Sequence, residues 1–289
     1  MSKKIHSIKY LILSSTSLVI CLLIATISMH INPTFAYSNE IYYGDSNYAD
    51  NGNSSTQYET FTYSYKQSNK VLINNSFPQY YNTNNSLTNT CANVAGCNIL
   101  GYYDKTYTNL IPDYTPGIQR PSGYIYYAMS YNTQKKQNII DDLYVRMSTN
   151  NPNSGTTQTQ YKNGLSSYII NQGYTATYSS IMTNNIIDMT KLTTAISNGT
   201  PISLFLSGYN FSIISDNNNV VLITKYIFTG NHIAIIYGYQ IVDYYDDSDS
   251  IICTKTYLYV ATGMELVSGV YILNNNGTIN DAESISINT

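Results

Sequence analysis

Apolar and polar positions along the chain follow two rhythms, and the change falls at Pro201. Upstream the spacing is helical. Ala92, Ala95, Ile99 and Tyr103 share one face of a helix that begins at or just before Cys91, with Thr88, Asn89 or Thr90 available as its cap. A second helix is predicted over Asn138 to Met147, with Ile139, Ile140, Leu143 and Met147 on one face. A third runs from Thr157 to Asn171, turns Tyr161, Leu165, Tyr168 and Ile169 inward, and stops at Gly173. A fourth opens at Asp188, carries Leu192 and Ile196, and ends at Gly199.

Downstream of Pro201 the runs are β-branched or aromatic and are separated by Gly, Asn and Asp clusters. Ile202 to Leu206, Val220 to Phe228, His232 to Val242, Ile251 to Val260 and Val270 to Leu273 read as strands, with Asp243 to Asp249 as a hairpin tip. Helices first and an antiparallel sheet second define an α+β fold. Residues 37 to about 70 are rich in Tyr, Ser, Asn and Thr; Tyr58 to Tyr65 alternates like a strand, and Val71 to Ile73 suggests a second. The residues 37–77 fit a propeptide, a spacer or the N-terminal edge of the domain that follows, leaving 78–289 as the main domain.

Composition narrows the class. Only 11% of residues are charged, and 32 tyrosines with abundant Asn, Ser and Thr supply the polarity instead. A net charge of −3 without a basic block gives no footprint for nucleic acid. Residues 1–36 have the form of an export signal: Lys3, Lys4 and Lys9, then an apolar stretch to about Met29, then small residues up to Ala36. The expected location is secreted or cell-surface, with membrane attachment only if the signal stays as an anchor. Cys21 lacks the small preceding residue of a lipidation site.

Cleavage after Ala36 leaves one histidine, His232, and three cysteines, Cys91, Cys97 and Cys253. An odd count implies at least one free thiol. A Cys97–Cys253 bridge leaves Cys91 free, whereas a bridge from Cys91 to either partner removes it. No close ligand pair suggests zinc, and Asp243 to Asp249 does not have EF-hand spacing. No metal or organic cofactor is expected.

A cysteine nucleophile works as its thiolate, which a helix N-terminus and a nearby imidazolium both favour. Cys91 stands at the predicted helix start, and His232 opens an apolar strand. The stretch Asn89-Thr90-Cys91-Ala92-Asn93-Val94-Ala95-Gly96, with Gly230-Asn231-His232 before an apolar strand ending Tyr237-Gly238-Tyr239, resembles papain-like cysteine peptidases, closest to the bacteriocin-processing type and its secreted relatives. Cys91 and His232 are 141 residues apart, within the roughly 130–150 of the papain pattern.

The resemblance covers about residues 78–289. It implies a papain-like fold in which a helical half led by the Cys91 helix packs on a C-terminal antiparallel sheet. It implies Cys91 as nucleophile and His232 as base, acting on a peptide or protein substrate through an acyl-enzyme. Asn85, six positions before Cys91, occupies the place of the oxyanion-hole amide, where the family more often has Gln. The Cys91 backbone N–H is the second donor. Thr262 falls where the family places the Asn or Asp that orients the imidazole; Asp243 is an alternative orienter. The absence of that acid supports a second reading, a catalytically impaired papain-fold binding or surface module, since Tyr-rich surfaces suit sugar or protein recognition. An acyltransferase on the same dyad is a third.

Overall fold

A computed structural model describes residues 40–44, 55–74, 77–113, 118–119, 125–126, 133–265, 269–274 and 277–289. The chain divides into two compact units, Met1–Glu40 and Ile41–Thr289. The export signal, its cleavage point and Cys21 lie outside the described residues. Among the described residues no helix is long and apolar enough to cross a membrane.

The second unit is α+β. Short β1 (Tyr42–Tyr43) precedes a pair of strands, β2 (Ser55–Thr62) and β3 (Tyr65–Leu72). Helix α1 (Cys91–Tyr103) comes next, then two-residue strands β4 (Ile118–Gln119) and β5 (Ile125–Tyr126). Helix α2 (Thr133–Arg146), β6 (Thr156–Thr157), helix α3 (Gln158–Asn171), β7 (Thr175–Ser180), β8 (Met182–Thr183), β9 (Ile186–Ile187) and helix α4 (Met189–Ser197) complete the helical half. Strands β10 (Ile202–Ser207), β11 (Asn210–Asn217), β12 (Val220–Ile227), β13 (Asn231–Tyr245), β14 (Ile251–Ala261), β15 (Gly269–Ile272) and β16 (Thr278–Asn288) follow.

Local chemistry accounts for the helix starts. Thr157 caps α3 in a full capping box with Gln160, and the Asp188 carboxylate accepts from Thr190 N and Lys191 N to cap α4. Helix α1 begins at Cys91, but the Thr90 side chain makes no cap bond, so capping by the Thr-rich approach is not what sets this start. Packing sets it instead, because every residue from Cys91 to Tyr102 is buried. Helix α2 opens at Thr133, five residues before the expected Asn138, and Gln134 reaches Asn138 along its exposed face.

The main sheet has ten strands in the order β2-β12-β11-β15-β14-β13-β10-β16-β7, with β3 added on β13. All its pairs are antiparallel. The expected single strand over Tyr58 to Tyr65 is two strands, because the chain bends at Tyr63-Ser64 and passes from β12 to β13 without reversing. There Tyr63 N donates to Asn219 O and Ser64 N to Tyr245 O. Residues 55–72 are thereby strands of the main sheet, on β12 at one end and β13 at the other. Since β2 and β3 are consecutive, their pairings draw β12 and β13 together and curl this half into a barrel-like wall.

Three apolar clusters result. On one face of β10 and β13, Cys91, Ile99, Leu143 and Leu165 pack with Phe205, Ile233 and Ile235. On the other face α4 brings Leu192 and Ile196 against Leu204, Leu206, Ala234 and Ile236. The third fills the curl with Val221, Ile223, Val242, Tyr244 and Tyr257.

Candidate active site at the start of helix α1

Cys91 is the first residue of α1 and is 1% exposed. The approach to it is held by amides. Asn89, with φ of 58°, is in the left-handed region that Asn tolerates, and its Nδ2 donates to Asn150 Oδ1 at 2.7 Å. Asn150 in turn donates to Thr88 and Tyr144 and accepts from Gly155 N at 2.7 Å. One helical turn inside, buried Asn93 donates to Thr149 Oγ1 and to Met147 Sδ. This polar clasp fixes the start of α1 against the turn that follows α2.

The chain's own N-terminal segment passes beside the start of α1: a Cβ at Gly44 would stand 2.5 Å from Asn89 Cβ, and Tyr43 shares the buried cluster of Cys91. Tyr42 and Tyr43 pair with Thr157 and Thr156, and Gly44 N donates to Asn231 O at 3.1 Å. The Asn231 side chain donates from Nδ2 to Tyr42 O at 2.9 Å and accepts from Ser207 Oγ at 2.6 Å. The Tyr43 ring, 2% exposed, meets Phe205 edge-on at 5.3 Å. Burial pushes its phenol up to about 12, a hydrogen bond with Asn280 opposes the shift, and Asp281 and Cys91 add to it through space. Gly155, at φ of 106°, lets the segment lie this close: a Cβ there would stand 2.6 Å from Tyr43 O. An extended peptide, with backbone hydrogen bonds on both sides, thus crosses the start of the Cys91 helix.

His232 is fully buried. Its Nε2–H donates to the backbone carbonyl of Thr262 at 2.7 Å. Neighbouring residues on a strand face opposite sides. Ile233 and Ile235 join the cluster containing Cys91, whereas Ala234 and Ile236 join the one beyond the sheet. His232 shares the second parity. Its ring stacks on Tyr209 at 5.1 Å and meets Phe211 at 5.8 Å, both members of that far cluster. The residue of the strand start that faces the Cys91 side is Asn231. Cys91 and His232 therefore sit at one end of the sheet but on opposite faces of it. The Thr262–Gly263 loop runs between them, with a Cβ at Gly263 lying 3.1 Å from Val94 of α1.

The other expected site residues are placed as follows. Thr262 does meet His232, but through its main chain; its hydroxyl accepts from Met264 N at 3.2 Å. Asp243 is at the far end of β13, where its carboxylate accepts from Thr254 Oγ1, remote along the strand from His232. Asn85 lies exposed on the turn where Leu87 N donates to Asn84 O, and the buried amide next to the helix start is Asn89. Neither Cys97 nor Cys253 is in a disulfide, nor is Cys91. Cys97 is a core residue of the helical cluster and Cys253 borders the curl, so none of the pairings left open by the sequence forms and each cysteine is a separate thiol. Burial raises the Cys97 thiol far above its ordinary range. No group of three metal-ligating side chains occurs among the described residues.

Tyr43 and Asn150 were not singled out by sequence; Asn89 entered only as a candidate cap of the Cys91 helix, and Asn231 only as the neighbour of His232 with the opposite strand parity. Comparison with family models, with curated proteins and with solved structures gives no match to this chain.

Proposed function

We propose that the folded unit is an exported papain-like cysteine peptidase held with its cysteine covered. The observation that carries the reading is the extended segment Tyr42–Gly44, which passes beside Asn89 at the start of α1, packs Tyr43 in the cluster of Cys91, and is bonded to β6 and Asn231 as a peptide substrate is bonded in a strand-lined groove. In this reading the Cys91 thiolate attacks a peptide carbonyl. The Cys91 N–H holds the oxyanion, and His232 takes the thiol proton and returns it to the leaving amine. In the covered state the Thr262 carbonyl holds the imidazole with its proton on Nε2, which leaves the lone pair of the neutral ring on Nδ1. Turnover requires the segment to leave and the imidazole to swing from the Tyr209 face round the strand end. An acyl acceptor other than water makes the same dyad a transferase.

A second reading is favoured by the seat of His232 between Tyr209 and Phe211. There the histidine is a packed ring and Cys91 a small core residue, and the fold is a non-catalytic exported binding module. Hydrolysis of an unfolded protein such as casein separates the two. The peptidase reading expects cleavage by the Tyr43→Ala protein that is abolished by Cys91→Ala and kept by Cys97→Ala. No cleavage by the Tyr43→Ala protein, or cleavage that survives Cys91→Ala, contradicts it.

A further inference from the structure

The groove that holds Tyr42–Gly44 constrains two neighbouring positions of its occupant by different means, a slot for one side chain and a wall against the next. We infer that the groove takes extended peptides in which a tyrosine is followed directly by a glycine. The inference rests on Tyr42–Gly44 being the occupant of a substrate groove, and it names the substrate class of that groove.

The slot is aromatic along its length. The Tyr43 ring meets Phe205 edge-on, and Phe205 in turn meets Tyr161 edge-on at 5.7 Å. Phe205 and Tyr161 are both fully buried, so the slot keeps its shape, and a ring makes edge-to-face contact there that an aliphatic side chain does not. The end of the slot is polar. The Tyr43 hydroxyl is hydrogen-bonded with Asn280. Asn280 Nδ2 donates to Ser207 Oγ at 2.7 Å, Ser207 donates to Asn231, and Asn231 donates to Tyr42 O. One chain of side chains thus joins the phenol of residue 43 to the main chain of residue 42, and phenylalanine would leave its end unmade. Asp281 acts on the same hydroxyl through space, so a carboxylate or phosphate in the slot is repelled.

The wall stands at residue 44. A Cβ there would lie 2.5 Å from Asn89 Cβ and 2.8 Å from its Cγ. Asn89 has little room to yield, because its Cβ is set by the main chain and its amide is held by Asn150. Nor can the occupant shift away without losing the bond from Gly44 N to Asn231 O. Glycine alone fits. Residue 41 is 38% exposed and residue 42 half-buried, so neither is selected in this way.

The test uses the full chain carrying Tyr43→Ala and Gly44→Ala, which empties the slot and sets a Cβ against Asn89, so that the chain's own segment leaves the groove. Labelled peptides of residues 40–46 are added in trans and followed by fluorescence anisotropy, with mass spectrometry of the same samples to read cleavage. The parent peptide binds with a saturable Kd below about 1 mM. In the peptide, Tyr43→Phe weakens binding about fivefold, Tyr43→Ala at least about fiftyfold, and Gly44→Ala at least about tenfold. Binding in that order without cleavage upholds the selectivity and sinks the peptidase reading. Cleavage indifferent to both positions does the reverse. Equal binding of all four peptides, or none by a variant that melts cooperatively, overturns the inference. If the double variant does not melt cooperatively, Tyr43→Phe and Tyr43→Leu in the otherwise parent chain decide. Alkylation of Cys91 at least about tenfold faster in the Leu variant upholds the inference, and equal rates overturn it.

Discussion

His232 and Thr262 are joined by an imidazole-to-carbonyl hydrogen bond of 2.7 Å that uses the Thr262 backbone and not its hydroxyl. On the peptidase reading, the part of an orienting acid falls to an atom that no side-chain substitution at 262 removes. Thr262→Ala is expected to keep the His232 bond and any activity within a few-fold, losing only the turn bond from Met264 N, about 1 kcal/mol of stability. His232→Ala deletes a ring packed on Tyr209 and Phe211 and strands the Thr262 carbonyl, at a cost of about 2–4 kcal/mol. Urea unfolding of both variants checks the contrast. Equal destabilisation by the two contradicts it.

The cover over Cys91 depends on one backbone position. Gly155 combines φ of 106° with a 2.6 Å approach of its missing Cβ to Tyr43 O. Gly155→Ala is therefore expected to push the Tyr42–Gly44 segment off and to cost about 1–3 kcal/mol. Tyr43→Ala empties the slot against Phe205 directly, at about 3 kcal/mol. Both variants should raise the alkylation rate of Cys91 at least about tenfold, read by mass spectrometry, as a local opening worth about 1.4 kcal/mol or more would do. Cys97, buried within α1, should stay unlabelled.

Asp104, just after α1, is fully buried and one of its oxygens has no partner. Burial pushes its carboxyl up to about 7, against opposition from Ile111 N, which donates to Oδ1 at 2.7 Å, and from Lys135. A pKa raised by folding means the neutral form suits the fold. Its contribution is full below the ordinary value of 3.8 and is lost as pH rises through about 7. Asp104→Asn should flatten stability between pH 4 and 7 and raise it at pH 8 by an amount on the order of 2 kcal/mol. Urea midpoints across that range show whether it does; an Asn variant less stable at pH 8 contradicts the assignment.

Much of the architecture was legible from local chemistry. Asp188 and Thr157 announced their helices because a capping side chain acts within three residues of itself. Strand β16 was missed although Ala282, Ile285 and Ile287 are buried; Ala282 packs in one cluster and Ile285 and Ile287 in the other, so no single alternation marks it among its polar neighbours. The break at Tyr63-Ser64 carries no Gly or Pro, and its cause is distant, in Asn219 and Tyr245. The face chosen by His232 was illegible for a different reason. Strand β13 is apolar on both faces, with Ile233 and Ile235 on one and Ala234 and Ile236 on the other, so no alternation marks which side meets α1. Spacing in sequence brought Cys91 and His232 to the same end of the sheet, and parity separated them.

The most direct test of Cys91 as nucleophile is alkylation by iodoacetamide at pH 6 of the Tyr43→Ala protein, with and without His232→Ala. Cys253, half-buried and with a thiol that burial holds above its ordinary range, serves as the internal reference. An activated thiolate predicts that Cys91 labels faster than Cys253 and that His232→Ala removes the difference. Labelling of Cys91 no faster than Cys253, or a rate indifferent to His232, contradicts the peptidase reading and leaves the binding module.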